Sequence, residues 1–160
     1  MCFVFEPEKV MRKILIPFML LLFVNCASDD SQKDFTEANE NEILEYISAQ
    51  GLVAQKSASG LYYVINNEGS GNKPLPSSNV TVAYRGYFTD GEVFDESNAD
   101  GISFNLNQVI PGWTEGLTYF GEGGNGVLLI PSRLGYGDSG RGSIPGGAVL
   151  IFNVALRSIN

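Results

Sequence analysis

Residues 80–97 read VTVAYRGYFTDGEVFDES, and the pattern of this stretch decides the fold. From Val80 to Phe88 apolar and polar residues alternate with period two, the signature of a strand with one buried face. Asp90-Gly91 within Thr89–Glu92 supplies a tight hairpin turn, and Val93-Phe94-Asp95 runs back along the first strand. Outward from this hairpin, Ile102-Ser103-Phe104-Asn105-Leu106 alternates again, while Leu61–Ile65 is aromatic and β-branched. Gly126–Ile130 reads as a buried strand and Val149–Leu156 as the last one. The segments 66–78 and 135–147 are rich in Gly, Pro, Asn and Ser and read as loops. Pro111-Gly-Trp113-Thr-Glu-Gly-Leu117 opens with Pro and carries an acid, as a short helix does. Five or six strands and one internal helix make an α+β plan: an antiparallel sheet with a single helix laid across it.

Composition narrows the chemistry. The 160 residues are 44% apolar and 18% charged, enough for one real core. The net charge of −8 lacks the overall footprint of a nucleic-acid binder, so no nucleic-acid partner is expected. The chain has no His, which removes the commonest metal ligand and any Ser-His-Asp or Cys-His pair. Its two Cys, at 2 and 26, leave no disulfide framework or thiolate cluster for the rest of the chain. Asp90, Glu92, Asp95, Glu96 and Asp100 do not follow the spacing of an EF-hand loop, and a solvated hairpin tip explains them better than a metal site. Gly121-Glu-Gly-Gly124 lacks the Lys-Ser/Thr ending of a phosphate loop. No cofactor is expected.

The first segment reads as an address. Arg12 and Lys13 precede an apolar run of 11 residues, Ile14–Val24, too short for a bilayer span of ~20 residues and suited to a signal peptide. Met11 is a more natural start than Met1, because Glu6 and Glu8 sit awkwardly before a basic region. The run ends at Cys26, and a signal core ending on a lone Cys resembles a bacterial lipoprotein signal. That resemblance implies lipidation of Cys26 and an envelope protein anchored in the outer membrane, facing the periplasm or the surface. Residues 1–25 are thus assigned to the signal and 26–52 to a lipidated acidic tether with a short helix. The tether runs to about Glu40. The helix, near 39–51, carries the stripe Ile43, Leu44, Ile47 and stops at Gly51. It would pack on the domain or on a partner copy. The remaining domain, 53–160, is expected to keep its activity when 27–52 is trimmed.

The order of signals from Leu61 to Ile159 resembles the FK506-binding protein family of peptidyl-prolyl cis-trans isomerases. The likeness rests on VTVAYRGYFTDGEVFDES (80–97), SFNLNQVIPGWTEGL (103–117), LLIPSRLGYG (128–137) and IPGGAVLIFNVAL (144–156), four motifs in order over nearly 100 residues. The form QVIPGWTEGL is similar to the bacterial periplasmic and surface branch, and the acidic leader to gliding-motility isomerases of Bacteroidetes.

The resemblance implies a half-barrel of antiparallel strands around the short helix, with a pocket between sheet and helix. It implies catalytic roles for Tyr84, Asp95 and Tyr136, and a substrate-binding wall of Phe94, Phe104, Gln108, Val109, Ile110, Trp113, Ile144 and Phe152. The Trp113 indole would be the floor, and the Ile110 N–H and Tyr136 hydroxyl would hold substrate carbonyls. Asp95 would sit by the twisted carbonyl carbon or orient the tyrosines. Proline-containing polypeptides and macrolide ligands are the implied partners.

The chain departs from the family pattern in three places. No Arg follows Asp95 until Arg133. The loop Asp138–Ser143 is one residue shorter than in eukaryotic members and carries Arg141. Pro145-Gly146 replaces the usual Pro-Pro. These changes bear on drug affinity and substrate preference.

Without the family, the same residues have plainer readings. A lone Trp and Phe in apolar runs are more often core than site. Tyr84 would be a strand tyrosine, and Asp95 a turn cap. A lipoprotein that holds proline segments without turnover, or an assembly accessory working through the helix, are the alternatives to an enzyme.

Overall fold

The computed structural model describes residues 33–160. The signal segment, Cys26 and most of the tether lie outside the described residues. Residues 33–160 belong to one compact unit. Its elements are helix α1 (Thr36–Gln50) and strands β1 (Gln55–Lys56), β2 (Tyr62–Asn67), β3 (Asn79–Tyr87), β4 (Val93–Glu96) and β5 (Ile102–Asn105). Helix α2 (Pro111–Gly116) and strands β6 (Asn125–Ile130) and β7 (Leu150–Ile159) complete the chain. No helix among the described residues is long and apolar enough to cross a membrane.

The seven strands form one open antiparallel sheet in the order β1-β2-β6-β7-β3-β4, with β5 also paired to β3. Strand β3 is shared lengthwise on one edge. Its first half, Asn79–Val82, pairs with β5, and its second half, Arg85–Tyr87, pairs with β4. The hairpin read from the sequence is present, with Glu92 N–H donating to Asp90 Oδ1 in the turn. The strand beyond the expected six is β1, two exposed residues that pair with Tyr62 and Tyr63. Two exposed residues carry no alternation, so the sequence gives no sign of them.

Strands β6 and β7 alternate in which face they serve, and both faces are buried. Leu128, Ile130, Leu150, Phe152, Val154 and Leu156 point to the inner face, against Trp113, Leu117 and Phe120. Val127, Leu129 and Ile151 point to the outer face, against Ile43 and Tyr62. A strand covered on both sides reads as a continuous apolar run, which is what residues 126–130 show.

Helix α2 covers the inner face. Pro111 at its first position needs no N–H partner there. Gly112 and Gly116 let the helix lie close to the sheet: a Cβ at Gly112 would sit 2.6 Å from Ile130 Cγ2, and one at Gly116 would sit 2.7 Å from Leu128 Cδ1. Glu115, on the same helix, braces it from outside. It accepts from Ser59 Oγ (2.5 Å) and from the Tyr119 hydroxyl (2.8 Å). Burial pushes the Glu115 carboxyl up, but the hydrogen bonds from Ser59, Ser57 and Tyr119 and the Arg133 charge outweigh it, so the group titrates below its ordinary value. The same brace, after burial, pushes the Tyr119 phenol up to about 12.

Helix α1 covers the outer face and is longer than the sequence suggests. It begins at Thr36, inside the stretch expected as tether, where the Thr36 N–H donates to Asp34 Oδ1 at 2.9 Å. It ends as expected at Gly51, whose left-handed conformation (φ +62°) lets Gly51 and Leu52 N–H satisfy the last carbonyls, Ser48 and Ile47. Of the apolar stripe, Ile43 is fully buried and Ile47 packs beside it on the sheet, while Leu44 is 45% exposed. Lys56 Nζ and the Tyr62 hydroxyl both donate to Glu40, and Thr89 donates to Glu42. The stripe is therefore used on this domain. The boundary expected at 53 falls within the compact unit, and trimming 27–52 would strip the cover from the outer face.

Two outcomes follow from this packing. Ile43→Ala lowers unfolding free energy by about 2–5 kcal/mol in urea titrations, whereas Leu44→Ala changes it by under ~0.5 kcal/mol. Because the Glu115 carboxyl is held below its ordinary value, its contribution is present above pH 4.5 and is lost as pH falls through the lowered value. Urea midpoints measured down that range should fall with a smaller slope in Glu115→Gln.

Candidate active site

Between α2 and the inner face lies a cleft of about 690 Å³. All eleven side chains singled out from the sequence line it: Tyr84, Phe94, Asp95, Phe104, Gln108, Val109, Ile110, Trp113, Tyr136, Ile144 and Phe152. They arrive from six places. Strands β3, β4, β5 and β7 bring Tyr84, Phe94 with Asp95, Phe104 and Phe152. The entry to α2 and its first turn bring Gln108–Ile110 and Trp113, and the loop before β7 brings Tyr136 and Ile144.

The floor is an aromatic box. The Trp113 ring, 5% exposed, meets Tyr84 edge-on at 4.9 Å and Phe152 edge-on at 5.1 Å, and Phe104 lies tilted at 5.3 Å. Phe94 packs edge-on to Phe152 at 5.4 Å. These are the favoured geometries of aromatic pairs, so the box holds its shape without a ligand. The Trp113 Nε1–H is buried with no partner among the described residues.

The polar groups sit at the rim. The Tyr84 hydroxyl donates to Asp95 Oδ2 at 2.7 Å. Burial, then the Asp95 hydrogen bond and charge, then Tyr136, push the Tyr84 phenol well up, so it stays a proton donor. The Tyr84 hydroxyl is thus the partner of Asp95, while no hydrogen bond joins Tyr136 to Asp95 among the described residues. The Ile110 N–H precedes α2 and donates to no acceptor among the described residues, although Ile110 O accepts from Trp113 and Thr114. The Tyr136 hydroxyl is likewise without a partner there. The Ile110 N–H and the Tyr136 hydroxyl, both from residues that line the cleft, are thus donors without an internal bond among the described residues.

Sequence reasoning missed Ile102, Gly142 and Ser143, and noted Arg141 only as a departure. Ile102 shares parity with Phe104 on β5 and could have been found by that signal. Arg141 lies over the Tyr136 ring, 6.0 Å from its centroid, a placement that a Gly-rich loop hides.

Residues 71–157 match the family model for FKBP-type peptidyl-prolyl cis-trans isomerases. The FKBP-type isomerase FkpA of Aeromonas hydrophila is 41% identical over 133 residues, 81% of this chain and 49% of the relative. The crystal structure of FkpA from Escherichia coli matches with a TM-score of 0.70 at 38% identity, covering 78% of this chain and 59% of that one. A peptidyl-prolyl cis-trans isomerase structure from Pseudomonas syringae matches with a TM-score of 0.68 at 30% identity, covering 78% of this chain and 96% of that one. The chain spans about half the length of the curated relatives it matches. With the family model covering more than half of its residues, on a fold these structures share, the chain belongs to the FKBP-type peptidyl-prolyl cis-trans isomerase family.

Proposed function

We propose that the protein is a peptidyl-prolyl cis-trans isomerase acting on X-Pro bonds of polypeptides in the cell envelope, with Cys26 carrying its lipid anchor. The observation that carries the reading is the aromatic box floored by Trp113, in a cleft also lined by Ile110 and Tyr136, whose N–H and O–H have no partner among the described residues. Family membership and the relatives' names support the activity. The lipid anchor rests on the sequence of residues 11–26 alone.

The geometry suits rotation about an amide. The barrier of ~18–20 kcal/mol comes from resonance in the C–N bond. At the 90° twist that resonance is lost, and the amide becomes less polar than in its planar ground state. A dry aromatic wall of Trp113, Phe94, Phe104, Val109 and Phe152 therefore favours the twisted form over the planar one, which is catalysis by differential binding. The Ile110 N–H holds one substrate carbonyl and the Tyr136 hydroxyl another, fixing the chain while the prolyl bond turns. Asp95, through its bond from Tyr84, holds that phenol in place and presents a carboxylate near the rotating carbonyl. Each step moves electron density within the amide, and no proton leaves the substrate. Macrolides would enter the same cleft and compete with proline segments.

The test is catalysed isomerisation of a short X-Pro peptide by the protein beside Asp95→Ala and Tyr136→Ala, with folding followed by circular dichroism. The expected result is clear acceleration that drops about tenfold or more in each folded variant, the equivalent of one lost contact of ~1.4 kcal/mol in the transition state. No acceleration by the folded protein overturns the reading.

A further inference from the structure

The loop that brings Tyr136, Arg141 and Ile144 to the cleft runs from Ser132 to Gly147 and contains no strand, only a 3-10 turn at Ser132–Leu134. Its ends are drawn together by short internal bonds. Gly137 N–H donates to Ser132 O at 2.8 Å, and Gly147 N–H donates to Gly137 O at 2.9 Å. A single side chain from outside the loop closes this arrangement. Asn39 of α1 accepts from Ser132 N–H at 2.8 Å through Oδ1 and donates to Gly147 O at 2.8 Å through Nδ2. The two partners fix which end of the amide is which, since an N–H needs the oxygen and a carbonyl needs the nitrogen. Asn39 is 2% exposed, and Asn39 and Ser132 are the two buried polar residues among those described. The neighbouring Phe35 ring lies on Gly147, where any Cβ would collide with it and where φ is +80°.

We infer that Asn39 is a positioning residue for the isomerase site: from the far face of the sheet it clamps both ends of the loop that holds Tyr136 and Ile144 over the cleft. The inference rests on the isomerase reading for its effect on turnover, and on the hydrogen bonds alone for its effect on the loop. Asparagine suits the task because it offers one donor and one acceptor side by side, as a backbone unit does. Removing it leaves a buried N–H and a buried C=O unpaired at the two hinges of the loop. The loop then opens more often, and the fraction of molecules with Tyr136 in place falls. A lower fraction of competent molecules raises apparent KM in proportion and leaves the turnover of bound substrate unchanged. Helix α1 is on this account part of the site's support.

The experiment compares the full chain with Asn39→Ala, Phe35→Ala and Ile43→Ala. Amide hydrogen exchange reads the loop, and kcat and KM on a proline peptide read the site. All measurements are made well below each unfolding midpoint. Asn39→Ala is expected to speed exchange at Ser132 and along 132–147 about tenfold or more and to raise KM about as much, with kcat within about twofold. Phe35→Ala, which leaves no buried polar group unpaired, should shift both in the same direction by less, and keeps the test open if Asn39→Ala does not fold. Ile43→Ala lowers global stability from the same helix and should leave loop exchange and KM at the wild-type values. Wild-type loop exchange and KM in a folded Asn39→Ala overturn the inference. So does the same loss in Ile43→Ala, which would assign the effect to global stability. If the wild-type protein is folded but inactive, the isomerase reading fails and loop exchange alone decides the clamp.

Discussion

The structure depends on the burial of β6 and β7 on both faces. Leu128, Phe152 and Val154 point one way, and Val127, Leu129 and Ile151 point the other. A sheet with two apolar faces must find two covers, and an open sheet has no second sheet to supply them. Helix α2 covers the inner face and α1 the outer. Because α2 is only six residues long, it cannot cover the whole inner face. What it leaves open is the patch of Tyr84, Phe94 and Phe104 around the buried Phe152, and that patch is the wall of the cleft. The site is thus the uncovered remainder of the core, already paid for by folding.

A site made from core residues has a rigid aromatic floor, with the Tyr84–Asp95 pair beside it. Trp113 is held by edge-on contacts on two sides, with the Gly112–Gly116 contact to β6 behind it. Glu115 fixes the outer side of the same helix to Ser59 and Tyr119. The indole therefore has little freedom, which suits a reaction in which the pocket must favour one amide geometry over another without forming a bond. Tyr84 and Asp95 satisfy each other, while Ile110 N–H and Tyr136 O–H remain available. The rim thus offers donors to a chain already rich in carbonyls.

The fold was legible because its main strands alternate and its turns carry Asp-Gly, Pro-Gly and Gly-rich signals. Val80–Tyr87, Ile102–Asn105 and the β7 segment could be placed from period alone. The eleven cleft residues were legible only through the resemblance, since Phe152, Val109 and Trp113 read equally well as core. Much of what stayed hidden is the work of polar side chains that act across long sequence separations. Asn39 bonds to residues 93 and 108 positions away, and Ser59 to one 56 positions away. No local pattern marks an asparagine as buried, so the first turn of α1 read as solvated tether. The exposed pair Gln55–Lys56 escaped for the opposite reason, being a strand too short to show a period.

The most direct measurement of the central claim is two-dimensional exchange NMR of an X-Pro peptide with the protein, following peptide and protein resonances together. The account predicts faster cis-trans exchange of the peptide, with shifts at the Trp113 Nε1–H, the Ile110 amide and the Tyr84, Asp95 and Tyr136 signals. Unaltered exchange, or shifts confined to the outer face around Ile43 and Tyr62, would contradict it.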